Sequence, residues 1–163
     1  NVPSRTASDL IPDTVIKLAN HPNIIGIKEA VDDSKRLAEL LLISHKISHQ
    51  KNFSVLSGDD PTFNSFMANG GNGVISVAAN IIPQHIAKIC SLNLSKQFNE
   101  AEKLDLNFKN LYELLFVESN PMPVKWMLHK MGKIDSGIRL PLVSFNSAYH
   151  EQSLEEMLKL KLI

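Results

Sequence analysis

The apolar positions of this chain change period several times, and the changes mark its elements. Val15, Ile16, Leu18 and Ala19 recur at helical spacing after Pro12, which suits the first turn of a helix. Asn20, His21 and Pro22 end that helix. The run from Asn23 to Ala30 is short, Ile-rich and bounded by turn signals, so the spacing predicts a strand buried on both faces. Helical spacing returns from Asp33 to about Ile47 through Leu37, Leu40, Leu41 and Ser44. Phe53 to Leu56 reads as a second buried strand, closed by Ser57-Gly58. Asp60-Pro61 opens a helix with Asp60 as its cap and Phe63, Phe66 and Met67 on its inner face. Gly70, Gly71 and Gly73 turn the chain into a third strand, Val74 to Ala78, and Pro83 opens a helix through Ile86, Ile89 and Cys90.

Strand then helix, repeated with short links, demands a parallel sheet. The second half of the chain is helical throughout. It spans 95–115 and 121–131, with Gly132 placed as a C-cap, and ends in a helix whose capping box reads Ser153-Leu154-Glu155-Glu156. The expected domains are a βα part, 1–93, and a helical part, 94–163. Three parallel strands cannot close a barrel, so the βα part reads as half of one, with edges and interior surface left unpaired.

Composition narrows the function classes. The 163 residues are 44% hydrophobic and 21% charged, with 17 basic and 17 acidic side chains, so no charge excess argues for nucleic acid or an anionic membrane. No apolar run approaches the roughly 20 residues of a membrane span. The single Cys90 cannot form an intrachain disulfide, which favours a reducing, cytoplasmic setting, and its helical apolar position suits a packed thiol. The six histidines show no metal spacing; His45 and His49 sit four apart, on a helix end running into a polar loop. Trp126 and the methionines, at helical spacing, read as core or subunit contacts. The start at Asn1, without an initiator Met, suggests a fragment or processed product.

The chemistry centres on Lys28, in the stretch Ile-Ile-Gly-Ile-Lys-Glu-Ala from Ile24 to Ala30. Side chains alternate along a strand, so Ile25 and Ile27 share one face and Gly26 and Lys28 the other. In a (β/α) barrel the isoleucines would pack on the helices. Gly26 and Lys28 would point inward, with Lys28 at the C-terminal strand end where such folds build active sites. A lysine in apolar surroundings is favoured as the neutral amine, which can attack a ketone and form a Schiff base, and Gly26 would leave room for a small substrate. The alternative is an ion pair between Lys28 and Glu29 or Asp59. The residues by themselves leave both open.

Five segments occur in order: Asn-Val-Pro-Ser-Arg-Thr at 1–6, Gly-Ile-Lys-Glu-Ala at 26–30, Leu-Ser-Gly-Asp-Asp at 56–60, Gly-Val-Ile-Ser-Val-Ala-Ala-Asn at 73–80, and Phe-Val-Glu-Ser-Asn-Pro-Met-Pro-Val-Lys-Trp-Met-Leu at 116–128. Together they closely resemble the dihydrodipicolinate synthase family of pyruvate-dependent class I aldolases, almost from end to end. The resemblance implies the second half of a (β/α)8 TIM barrel with a C-terminal helical extension, cytoplasmic, a homotetramer when full length and otherwise a partner of the missing N-terminal half. It implies Lys28 as the Schiff-base lysine for pyruvate, whose enamine attacks L-aspartate-4-semialdehyde on the route to diaminopimelate and lysine. Arg5 would hold the semialdehyde carboxylate, a task that suits the planar guanidinium fork. Gly58 would line the pyruvate pocket, and Ile75 would lay its backbone beside the lysine. Both also have structural readings, as a turn glycine needing close approach or positive φ and as a barrel-interior side chain. No bound cofactor is implied, because the imine itself serves as electron sink. The tyrosine preceding residue 1 in the family, its proton-relay partners and most of the lysine feedback site fall outside these residues. The link from Leu41 to Asn52 is a few residues longer than is usual in the family. The alternatives are a sialic acid or keto-deoxy sugar acid lyase of the same family, and a non-catalytic half-barrel remnant.

Overall fold

A computed structural model describes residues 1–48 and 52–163. His49, of the His45/His49 pair, and the end of the long link from Leu41 lie outside the described residues. The first part contains α1 (Pro3–Thr6), α2 (Pro12–Ala19), β1 (Gly26–Glu29), α3 (Ser34–Ile47), β2 (Ser54–Ser57), α4 (Phe63–Ala68), β3 (Gly73–Val74) and α5 (Pro83–Leu94). The strands form one parallel sheet in the order β1-β2-β3, and the register sets Lys28 opposite Leu56 and Leu56 opposite Gly73.

One face of this sheet is covered and the other is not. Ile27, Phe53 and Val55 pack with Val15 and Ala19 of α2 and with Leu37, Leu40, Ile43 and Ile47 of α3 in one apolar core. Gly26, Lys28, Ser54 and Leu56 stand half-buried on the opposite face. The expectation of strands buried on both faces is therefore corrected: the described residues supply helices to one side only. Ile25, expected against the helices, is 68% exposed because the strand begins one residue later. On its free side β1 pairs with Asn1. The Asn1 nitrogen donates to the Lys28 carbonyl (2.6 Å) and the Ala30 N–H donates to the Asn1 carbonyl (3.0 Å), the pattern of a parallel ladder.

The third strand is shorter than expected, Gly73–Val74 in place of Val74 to Ala78. Ile75 still donates to the Ser57 carbonyl (2.9 Å), but beyond it the Val77 and Ala78 N–H groups turn to the Asp60 carboxylate (3.0 and 2.9 Å). That bond converts the strand end into the 3-10 turn Ala78–Asn80. Asp60 was expected to cap α4, whose N-cap is Thr62 without a side-chain bond.

The remaining elements are α6 (Phe98–Asp105), α7 (Lys109–Leu114), α8 (Met122–Lys130) and α9 (His150–Lys159). A second core, with Phe63, Ile82, Ile89, Leu111, Tyr112, Met127 and Met157, runs across residue 93 and joins α4 and α5 to these helices. The expected single helix over 95–115 is interrupted at Lys96 (φ 60°) and by a 3-10 turn at Leu106–Phe108. Gly132 follows α8 with φ 67°, as its C-cap reading requires. The capping box at Ser153 does not form. Ser153 is buried inside α9, which starts at His150 because that ring stacks on Trp126 (4.4 Å between centroids) and fixes the helix earlier. Asn146 caps the preceding turn through the Ala148 N–H. Cys90 is half-buried and burial pushes its thiol pKa up, as befits a packed thiol. Among the described residues no helix is long and apolar enough to cross a membrane.

Asp105 is buried in the second core, accepting from the Tyr112 hydroxyl (2.9 Å) and facing Lys109 (3.5 Å). Desolvation raises its pKa above 3.8, outweighing both partners. Burial also raises Asp60. A raised native pKa means that the folded chain binds more protons than the unfolded one just above 3.8, so stability is gained as pH falls through the native value and lost as it rises. As pH is lowered toward 3.8 the thermal midpoint is expected to rise relative to that of Asp105→Asn, which keeps an acceptor for Tyr112 without the charge. Calorimetry across that range checks it; equal slopes would remove Asp105 from the balance.

Candidate active site

Alternation along β1 places the lysine. Ile27 is held in the apolar core and Glu29 is bound by polar partners on the same side, so Lys28 between them projects from the open face. One layer further toward the C-terminal strand ends, Gly58 and Ile75 follow Leu56 and Gly73 by two residues and share that face. Their backbones stay in the ladder: Gly58 N–H donates to the Glu29 carbonyl (2.7 Å), and Ile75 N–H to Ser57. Lys28, Gly58 and Ile75 are thus brought together on one surface. Below them an open trough of about 490 Å³ runs past Ile24, Ile25, Gly26, Ser54 and Leu56.

Two glycines on this face serve close approach. A Cβ at Gly58 would lie 2.6 Å from Lys28 Cε and 2.9 Å from Ala30 Cβ, so the missing side chain is the space the lysine occupies. Gly58 thus resolves to the close-approach reading. Gly26 departs from expectation: a Cβ there would lie 2.6 Å from the Ser54 carbonyl oxygen, so the neighbouring strand, not a substrate, uses that room.

The lysine is half-buried, not enclosed in apolar surroundings, because the open face lacks a covering layer. The proposed ion pairs do not form either. Glu29 lies on the other face, and the Asp59 carboxylate accepts from the Thr62 hydroxyl (2.7 Å). Among the described residues no ion pair involves Lys28. The Ile75 side chain, expected to fill a barrel interior, is 52% exposed for the same reason as the lysine. Arg5 sits exposed on α1, in the loop that leaves the sheet directly after Asn1, at the same end of β1 as Lys28.

Sequence reasoning missed the groups that fix this surface from behind. Asp60, 1% exposed, ties the loop after β2 to the end of β3, and Glu29, 2% exposed, ties β1 to the loop carrying Arg5. An acidic residue at the end of an apolar strand was the available signal for Glu29; Asp60 next to a proline looked like an ordinary cap. Among the described residues no group of three His, Cys, Asp or Glu stands ready to hold a metal ion.

This arrangement has known counterparts. The family profile of the dihydrodipicolinate synthetases matches residues 1–161. The chain belongs to the dihydrodipicolinate synthetase family. It is 46% identical over 158 residues to the 4-hydroxy-tetrahydrodipicolinate synthase of Teredinibacter turnerae, covering 97% of this chain and 53% of that relative. The solved dihydrodipicolinate synthase of Acinetobacter baumannii, complexed with pyruvate, superposes with TM-score 0.91 at 42% identity over 100% of this chain and 54% of the other. A monomeric dihydrodipicolinate synthase variant superposes with TM-score 0.92 at 31% identity, with the same coverage. The chain spans about half the length of the curated relatives it matches. Its sheet and helices are accordingly half of a (β/α)8 barrel, followed by a helical extension.

Gly58→Ala tests the packing at this surface. The lysine's flexible end gives way more readily than backbone, so the substitution is expected to displace Lys28 at a stability cost of about 1–3 kcal/mol. Urea unfolding measures the cost, and the rate at which Lys28 alone is modified by an amine reagent reports the displacement. Unchanged lysine reactivity would show that the two residues are not in contact.

Proposed function

We propose that this chain carries the Schiff-base half of a 4-hydroxy-tetrahydrodipicolinate synthase, condensing pyruvate with L-aspartate-4-semialdehyde. The observation that carries the reading is Lys28 at the C-terminal end of a parallel barrel strand, projecting from the open face into space kept clear by Gly58.

In this reading the Lys28 amine attacks the C2 carbonyl of pyruvate and water leaves, giving a protonated imine. That cationic nitrogen accepts the electron pair released when a C3 proton departs, and the resulting enamine forms the new C–C bond to the aldehyde carbon. Nζ is then released as the adduct cyclises. Arg5 anchors the semialdehyde carboxylate through its fork of donors. Gly58 admits the lysine and pyruvate together, and the Ile75 backbone borders the lysine from β3. General acid–base assistance, typically on the order of 10²–10⁴-fold, comes from groups on the remaining strands of the barrel. The reading includes a cytoplasmic homotetramer for the complete barrel. Because one solved relative is a monomeric variant, native mass is the measurement of that assembly.

The test is incubation with pyruvate, borohydride reduction and peptide mass spectrometry. A reduced pyruvyl adduct is expected on the Lys28 peptide, and none in Lys28→Arg. If the isolated chain gives no adduct but the chain combined with the rest of the barrel does, the half-site reading stands. Failure in both settings leaves a non-catalytic half-barrel. Faster turnover of sugar-derived aldehydes than of aspartate semialdehyde would reassign the substrate.

A further inference from the structure

The Asn1–Leu10 segment is closed at its base by a polar network that reaches behind Lys28. Asn1 Nδ2 donates to Asp9 Oδ1 (2.8 Å) and lies 3.2 and 3.1 Å from the two Glu29 oxygens, while Asn1 Oδ1 accepts from the Leu10 N–H (3.0 Å). Arg36, from α3, places Nη2 2.5 and 2.6 Å from the two Asp9 oxygens and Nε 3.6 Å from Glu29 Oε2. Glu29 also accepts the Val31 N–H at 2.8 Å. The Asn1 end of the loop that carries Arg5 is therefore bound directly to the strand that carries Lys28, and the Asp9–Leu10 end is bound to it through Asn1 and Arg36.

The loop's interior is ordered by its own bonds. Thr6 Oγ1 donates to the Ser8 carbonyl (2.8 Å), and Ala7 ends α1 in the left-handed region at φ 52°, its N–H donating to the Pro3 carbonyl. An anchored base and a short internally bonded arch restrict the backbone that carries the exposed Arg5. The network is also costly to build, since a carboxylate as buried as Glu29 is tolerated only when its lone pairs are met. Here the Val31 N–H, the Asn1 amide and the Arg36 guanidinium meet them, and the last two join Asp9 at the base of this loop. The Arg36 hydrogen bond also holds the Asp9 carboxyl below its ordinary pKa, so the exposed partner keeps its charge further into the acid range.

We infer that Glu29, Arg36 and Asp9 are positioning residues that fix the Asn1–Leu10 loop, and through it Arg5, at the Lys28 end of β1. Their effect falls on the substrate that brings a carboxylate to Arg5, not on the ketone that reaches Lys28. The inference rests on the reading in which Arg5 binds the aldehyde substrate's carboxylate.

Two measurements decide it. Amide hydrogen exchange on the 163-residue chain is expected to lose protection at Leu10 by about tenfold in Asp9→Ala and in Arg36→Ala, with the Leu56 amide in the central strand unchanged. Asp9 is largely on the surface, so its variant folds even if Arg36→Ala does not. Unaltered exchange at Leu10 overturns the clamp. In the protein that contains the rest of the barrel, Arg36→Ala is expected to raise KM for aspartate semialdehyde about tenfold while the rate of the pyruvate adduct at Lys28 holds. That loss should vanish in an Arg5→Ala background, because residues acting through one another are not additive. Independent, additive losses overturn the positioning role and leave the function reading intact. A wild-type protein that forms no adduct overturns the function reading and the substrate assignment with it, and the exchange data then judge the clamp alone.

Discussion

Along β1 two different forces draw Ile27 and Glu29 to the same side, and Lys28 is left with the other. Ile27 is held by burial against α2 and α3. Glu29 is held by a guanidinium, an amide and a backbone N–H that a slipped strand would leave behind. A shift of one residue would turn Lys28 toward the helices and strand Glu29 on the open face, so register is specified twice. Every other feature of the candidate site presupposes this choice. Gly58 can clear the lysine only because it shares the lysine's face, and Ile75 lies beside it only because the ladder continues through Ser57.

Carboxylates do the bracing at both flanks of that face. Glu29 reaches backward to the loop before α2, and Asp60 reaches forward to the turn after β3. Each is nearly inaccessible, and beyond the end of the ladder Glu29 accepts one backbone N–H, that of Val31, and Asp60 two. A strand that stops inside a fold leaves such donors unpaired, at a cost of about 1–3 kcal/mol apiece when buried. Asp60 Oδ2 meets two such donors at once, the Val77 and Ala78 N–H groups, with a charged acceptor. The chain thereby turns sharply out of the sheet at the very end where the chemistry would sit.

How much of this the sequence disclosed depends on how far apart the interacting residues lie. Helix starts at Pro12 and Pro83 and the glycine after α8 are local signals, and they appear where the pattern puts them; the strand around Lys28 appears too, shortened from the expected Asn23–Ala30 to Gly26–Glu29. The length of β3 was illegible because Asp60 ends it from 17 residues upstream. The Ser153 capping box had the right letters, but Trp126 stacking on His150 starts the helix one turn sooner. Arg36 meets Asp9 across 27 residues, and no periodicity carries that distance. The strand pattern brought Lys28 into view and the resemblance to aldolases added Arg5, Gly58 and Ile75; the partners that hold them in place were visible only in three dimensions.

The openness of the lysine face has a physical meaning of its own. The strands have a full apolar layer on one side and, on the other, half-exposed side chains and an isoleucine open to solvent at Ile75. Sheets of parallel strands are stable when both faces are covered. A chain about half the length of its relatives has the helices for one face, while in a barrel the other face is covered by side chains of strands elsewhere in the ring. The residues around Lys28 are thus doubly determined. Gly58 and Ile75 must fit the lysine and also leave a surface that further strands can close. Where a side chain faces both an internal neighbour and a surface that further strands would close, packing asks for the same small or apolar residue that a pocket lining would, which is why the two readings could not be separated from the sequence alone.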